Sequence, residues 1–567
     1  MKTPIYDFVT RYKDLRPARF HMPGHKGRGP LGCEELDLTE IPGADSLYEA
    51  AGIIAESEAN ASALFGCPTF YSTEGSSHCI RAMLQLAMQL QSVGGGVHDA
   101  PNVSVFGSCG TSRTPSPTKN GGRFRILAAR NVHKTFLSAA ALLDLDVVWL
   151  PSAGGSYLSA QPSPAGLDAV LTETGASAVY LTCPDYLGFL PDLRPLAQVC
   201  HAHGALLLVD NAHGAYLRFL NPSRHPMDLG ADLCCDSAHK TLPVLTGGAY
   251  LHVSKKAFPL RGRCHPASLA SRMTDEVVCD AAAVRDALAL FGSTSPSYLI
   301  LQSLDLANPY LEQLPERLAA FLPKVEALRS RLRAAGWTPV GDEPLKLTLC
   351  CHSERSEESV PPAVPLERGT DPSTPLRSAQ DDRPGSGLQL AAALERRGIY
   401  CEFADPDYIV FMLSPQNTDA ELSRLEAALK AFPLRGRCPS AHTGADEVDP
   451  AVGSDPQIAP VIASGNDAAA MRRQEASGSL RARPSREAGG EWPPLRELPE
   501  PVCSIRAAML APAETVPAGE SLGRVLGRPG VSCPPAVPIL MPGERIDRAA
   551  VAAFARYGIE TVAVLTL

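Results

Sequence analysis

The sequence predicts an α/β protein built on a mainly parallel sheet, with smaller domains attached. Two observations in the middle of the chain predict it. Short apolar runs alternate there with helical stretches: AVYLT at 178–182, a helical pattern over 193–203 stopped by Gly204, then ALLLV at 205–209 running into Asp210. Two strands joined by a helix and short connections are expected to be parallel, linked by a right-handed crossover. The runs are also continuously apolar, as strands covered on both faces must be. Residues 125–129 and 147–150 repeat the pattern around a helix that begins near His133. On an open sheet of this kind the strand ends carry functional loops to one side.

At 567 residues the chain exceeds what a single hydrophobic core supports. The expected division is an N-terminal segment (1–70), a large domain (71–290), a small α/β domain (291–430), a low-complexity insert (431–500) and a C-terminal domain (501–567). Within the last, the sequence predicts a helix near 505–510, a Pro/Gly-rich turn region at 534–542, a helix over 548–557 and a terminal strand at 561–565. Four stretches break the α/β grammar, at about 94–122, 256–280, 350–387 and 432–497. They are variously rich in Gly, Pro, Ser, Thr and Arg and lack a period. The word AFPLRGRC occurs in two of them, at 257–264 and 431–438, which suggests inserted genetic elements read through in frame. They are expected to be weakly ordered surface loops.

Charge and cysteine usage exclude several functions. A formal net charge of −9 leaves no basic surplus to meet nucleic-acid phosphates. The N-terminus lacks the apolar core of a signal peptide, and no apolar run reaches membrane-spanning length, so a cytoplasmic protein is expected. The 16 cysteines contain no C-x-x-C spacing, which reads as free thiols with neither a metal site nor a disulfide framework. His201 and His203 lie on an amphipathic helix, where a surface role outweighs metal ligation.

Three motifs carry chemistry. Lys240, in DSAHKT after the apolar residues 233–235, stands where a partly desolvated amine can attack an aldehyde. A strand-end lysine is also commonly a solvated charge. Asp210, in VDNAHG, ends an apolar strand and can face a pyridinium nitrogen, keeping an aromatic ring charged as an electron sink; strand-end aspartates also cap helices and form turns. STEGSSH at 72–78 precedes a helical run, and its glycine and hydroxyls at a helix N-terminus suit a phosphate, though ordinary capping has the same look. The spacing of Asp210 and Lys240, on successive strands of one sheet edge, strengthens both readings.

As a set, HMPGHKG (21–27), STEGSS, NVHKT (131–135), VDNAHG, SAHKT, STSPSY (293–298) and the late CPPAVPILMPGE (533–544) resemble the Orn/Lys/Arg decarboxylase family. The resemblance runs from end to end except for the four inserts. It implies the aspartate aminotransferase-like, type I fold of pyridoxal 5'-phosphate (PLP) enzymes. Lys240 would then carry the cofactor as a Schiff base, Asp210 would partner its ring nitrogen, and His133 would stack on the ring. For His133 a plain helix-start histidine is the competing reading. Gly75, Ser76, Ser77 and Ser237 would bind the phosphate, His239 would sit beside the lysine, and Ala212 and His213 would shape the pocket. Thr294 and Ser295 would reach the phosphate of a neighbouring subunit in a homodimer with a shared active site. Glu544 is a candidate for the substrate's distal cation.

The resemblance also implies α-decarboxylation of a basic L-amino acid, with arginine favoured over lysine and ornithine, giving agmatine or a diamine for polyamine synthesis. Either Lys240 or His239 would return the proton to Cα. Because HMPGHKG comes so early, the chain looks like a short form without an N-terminal wing domain. Another type I PLP reaction, or an inactive cofactor-binding remnant, stands as the alternative.

Overall fold

A computed structural model describes residues 1–94, 123–150, 156–255, 281–351, 386–432, 499–530 and 535–566. The four predicted inserts lie outside the described residues except at their edges.

Seven strands form the central sheet: β1 (Thr69–Ser72), β2 (Arg125–Ala129), β3 (Asp146–Leu150), β4 (Ala178–Thr182), β5 (Leu206–Asp210), β6 (Leu233–Asp236) and β7 (Ala249–Val253). Their order is β1-β7-β6-β5-β4-β2-β3. Strands β3, β2, β4, β5 and β6 pair in parallel, and β7 runs antiparallel to both of its neighbours. Successive residues of each strand enter opposite cores, which is why the runs are apolar throughout. Ile126, Ala128, Tyr180 and Leu208 pack toward the helices Gly75–Gly94 and Lys134–Leu143. Leu127, Val179, Leu181, Leu207 and Val209 pack toward Pro164–Thr174 and Leu193–Ala202. The latter helix begins where the Asp192 carboxylate accepts from the Arg194 N–H, and the chain leaves it through Gly204 at φ +67°.

Register aligns the functional strand ends: Asp210 lies opposite Thr182 on one side and Cys235 on the other. Lys240 follows β6 on the one-turn helix Ala238–Thr241. β1 spans residues 69–72, so the first 70 residues are stitched to the sheet through it.

A 37-residue helix, Tyr298–Ala334, leads to a second sheet of β8 (Thr338–Val340), β9 (Lys346–Cys350), β10 (Phe403–Ala404) and β11 (Tyr408–Met412). This sheet is antiparallel, in the order β10-β11-β9-β8. Cys350 closes β9 and Ser386 caps the helix Gly387–Glu395, so both edges of the 350–387 stretch belong to the fold.

The C-terminal lobe pairs β12 (Ala513–Pro517) with β13 (Thr561–Leu565) around Leu526, Leu540, Ile546, Phe554 and Val562. β13 and the helices Ile505–Leu510 and Arg548–Arg556 follow the sequence expectation. β12 does not, because AETVP is mostly exposed and carries no apolar alternation. Ile505 and Met541 join the core of the central sheet, fastening the lobe to it.

Candidate active site

The strand ends, the start of the helix Gly75–Gly94 and the loop before Lys134–Leu143 meet at one place. Gly75, at φ +74°, donates its N–H to the Gly247 carbonyl at 2.7 Å. Gly247 has φ +101°, and a Cβ there would stand 2.8 Å from the Thr73 carbonyl oxygen. Only glycine brings these two segments together without strain. Next to them four hydroxyls form two pairs: Ser237 with Ser76 at 2.7 Å, and Ser77 with Thr135 at 3.0 Å. With the free N–H groups of the helix start, they make an anion cradle.

Asp210 is buried, and its carboxylate accepts from the Tyr180 hydroxyl at 3.1 Å, the Ala212 N–H at 3.2 Å and the Cys235 thiol at 3.8 Å. Among the described residues no cation forms an ion pair with it. Burial pushes its carboxyl above the usual range, and the Lys240 charge pulls it back. A buried carboxylate so placed favours a cation facing it, which a protonated ring nitrogen would be.

His133 caps the helix Lys134–Leu143, its Nδ1 accepting from the Thr135 N–H at 3.2 Å and facing the Thr135 hydroxyl at 2.9 Å. Burial, then Lys240 and Lys134, lower it to about 4, so the ring is neutral at physiological pH. The helix-start histidine and the site histidine are one residue. His239 is lowered too, by burial first; its Nδ1 lies 3.0 Å from the Gly248 carbonyl, which can only accept. The Lys240 amine lies 3.0 Å from His213 Nε2. The charge of Lys240 acts on Asp210, His133, His213 and His239 alike, which places the predicted lysine, carboxylate and histidines around one centre.

Two groups of predicted residues lie elsewhere. Thr294 and Ser295 are exposed, in a loop held by the Ser293 N–H donating to Glu74 at 2.6 Å. Among the described residues neither side chain hydrogen-bonds to the four hydroxyls. Glu544 is 3% exposed, and its two oxygens accept from Arg130 at 2.6 and 2.9 Å. The Met541 N–H donates to the same carboxylate at 2.9 Å. A carboxylate so occupied is not open to a substrate cation. It ties the C-terminal lobe to the loop that carries His133, where the Lys134 N–H also donates to the Ala536 carbonyl at 2.8 Å. His201 and His203 pair separately with Asp232 and Asp168 and form no joint site.

Sequence reasoning missed Tyr180, Thr135 and Lys346. Thr135 stood inside a quoted motif, and its place at a helix start was the available signal. Tyr180 lies inside an apolar run, and Lys346 lies about 100 residues beyond Lys240, so only the folded chain brings either to the site.

The model of the Orn/Lys/Arg decarboxylase major domain matches residues 116–337. The arginine decarboxylase of Bacillus anthracis is 24% identical over 566 residues, covering 96% of this chain and 91% of that protein. These matches support the Orn/Lys/Arg decarboxylase family. An uncharacterized protein of Bacillus subtilis strain 168, YaaO, is 28% identical over 431 residues, covering 73% of this chain and 74% of its own. In fold, this decarboxylase is similar to the constitutive lysine decarboxylase of E. coli, with TM-score 0.61 and 18% identity over 100% of this chain and 82% of that one. Lysine decarboxylase A of Pseudomonas aeruginosa gives 0.63 and 16%, over 99% and 80%. The fold is that of type I PLP enzymes, and the enzyme is a PLP-dependent decarboxylase. Its hydroxyl cradle, buried carboxylate and clustered amine fit that cofactor. No helix among the described residues is long and apolar enough to cross a membrane.

Proposed function

We propose that this decarboxylase acts on L-arginine, releasing carbon dioxide and agmatine, with Lys240 as its cofactor lysine. The observation that carries the reading is the convergence of Lys240 and the buried Asp210 on one centre beside the hydroxyl cradle. The full-length alignment with a protein named arginine decarboxylase supports arginine over lysine and ornithine.

PLP, when bound, supplies an aldehyde to capture the substrate amine and a ring that accepts the electron pair left as the carboxylate departs. Gly75, Ser76, Ser77 and Ser237 would hold the phosphate, and Asp210, steadied by Tyr180, would hold the proton at the ring nitrogen. His133, neutral and fixed by Thr135, presents its ring face. His213 and Ala212 close the pocket side. Proton return to Cα falls to Lys240, which takes that proton from the substrate's ammonium as the lysine is released. His239 commits its Nδ1–H to the Gly248 carbonyl and is lowered by burial, so its Nε2 carries no proton at neutral pH. The exposed Thr294 and Ser295 suit completion of a second subunit's phosphate site in a homodimer.

The test is release of labelled carbon dioxide from carboxyl-labelled arginine, lysine and ornithine by purified, PLP-loaded protein. Arginine should give the highest kcat/KM, and Lys240→Ala should give no release from any of the three. Turnover retained in Lys240→Ala would overturn the assignment of the lysine. A loaded enzyme that prefers lysine or ornithine would overturn that of the substrate.

A further inference from the structure

Lys346, at the start of β9, is 2% exposed and reaches across from the small sheet to the candidate site. Its side-chain nitrogen donates to the carbonyls of Asp185 at 3.1 Å and Tyr186 at 3.4 Å, and lies 3.1 Å from His213 Nδ1. The opposite nitrogen of the same imidazole, Nε2, lies 3.0 Å from the Lys240 amine. A histidine thus stands between two lysines.

Elementary donor counting constrains this row. A neutral imidazole has one N–H and one lone pair, so it cannot accept from an ammonium at both nitrogens. An imidazolium there would need both amines neutral, and burial with Lys240 and Lys346 beside it lowers His213 well below its ordinary value. One lysine must therefore accept. Lys346 has the surroundings of the charged one. Two of its N–H groups meet carbonyls, which can only accept, Glu343 and Asp185 act on it as opposite charges, and it lies 5.6 Å from the centre of the Tyr186 ring. Glu402 adds a further negative charge. Burial works against the charge on Lys346 and lowers it from the ordinary lysine value, with these groups opposing the shift.

We propose that Lys346 is a positioning residue that acts through His213: it donates to Nδ1, fixes the Nε2–H tautomer, and so directs an N–H at the lone pair of the Lys240 amine. The row weights Lys240 toward its neutral, nucleophilic form, ready to receive the cofactor's aldehyde or take it back at the end of a turnover. Other titratable groups facing Lys240 are Asp210 from β5, His133 from the loop before Lys134–Leu143, and the adjacent His239. Lys346 reaches Lys240 through a directed hydrogen-bond path, by way of His213.

The inference rests on the reading of Lys240 as the cofactor lysine, and its test needs neither cofactor nor turnover. In the cofactor-free chain, competitive acetylation followed by mass spectrometry gives the pH at which the Lys240 amine is half reactive. Lys346→Met should raise that pH by about one unit, since a unit is the ordinary effect of losing one well-placed interaction (about 1.4 kcal/mol). Lys346→Arg, which keeps a charged donor, should hold it near the wild-type position. An unmoved curve in a Lys346→Met chain with wild-type melting would overturn the proposal. Should that variant not fold, His213→Leu, which cuts the row at its middle, decides in its place. A rise there supports the row, and an unmoved Lys240 overturns it. Failure of the carbon dioxide assay alone would touch the substrate reading and leave this result standing.

Discussion

At the scale of single residues, protonation states decide what the site can do, and His133 gives the cleanest test of them. Its folded value of about 4 lies below the ordinary histidine value of about 6.5. Between those values the unfolded chain binds a proton that the folded chain refuses, so this residue makes stability rise with pH from about 4 to 6.5. Urea melts at pH 4.5 and pH 7 should therefore show a smaller gain for His133→Gln than for the wild type, by ~2 kcal/mol. Equal gains would mean that the ring is not held neutral by burial. The lysine, the aspartate and the hydroxyls were legible in the sequence because each sits in a short word next to a strand end or helix start. Tyr180 and Lys346 were not, because their roles arise from pairing between segments far apart in the chain. Glu544 was read as a substrate contact because it stands in a motif, yet its partner Arg130 is 414 residues away. A sequence motif names a residue without naming what neutralises it.

At the scale of elements, the close approach of Gly247 to Thr73 sets the cradle. Gly247→Ala would place a methyl 2.8 Å from a carbonyl oxygen in a left-handed conformation, and strain of this kind costs ~1–3 kcal/mol. The variant should melt lower and lose PLP faster on dialysis, with Gly75 no longer held by the Gly247 carbonyl. Wild-type retention would detach the cradle from the cofactor. Asp236, one residue after the β6 position opposite Asp210, supports the same edge from below. Its carboxylate accepts from His225 at 3.1 Å, His252 at 3.0 Å and Asn211 at 2.6 Å. Burial would raise its carboxyl, but the two histidines hold it well below the usual range. Strand positions were legible because apolar runs in this sheet are continuous. β12 was not, because the backbone pairing that makes it a strand leaves no apolar signature.

At the scale of the whole molecule, the C-terminal lobe belongs to the catalytic unit. Arg130 and Glu544 form a nearly buried ion pair, with Arg130 5.8 Å from the Trp149 ring centre, and Arg506 donates to the Ala141 carbonyl at 2.7 Å. Removing the lobe leaves Arg130 without its partner, a loss of ~3–5 kcal/mol for such pairs. A chain ending at residue 498 should unfold at lower temperature and bind PLP more weakly than the full chain; equal binding would show the lobe to be dispensable. The helices and terminal strand of this lobe were legible in the sequence, but not how closely it grips the loop that carries His133. The central claim is that one amine, that of Lys240, holds the cofactor, and borohydride reduction of the PLP-loaded protein followed by peptide mapping tests it most directly. The phosphopyridoxyl group should be found on the peptide containing Lys240 and be absent from Lys240→Ala; the label on Lys346 or any other lysine would contradict the account.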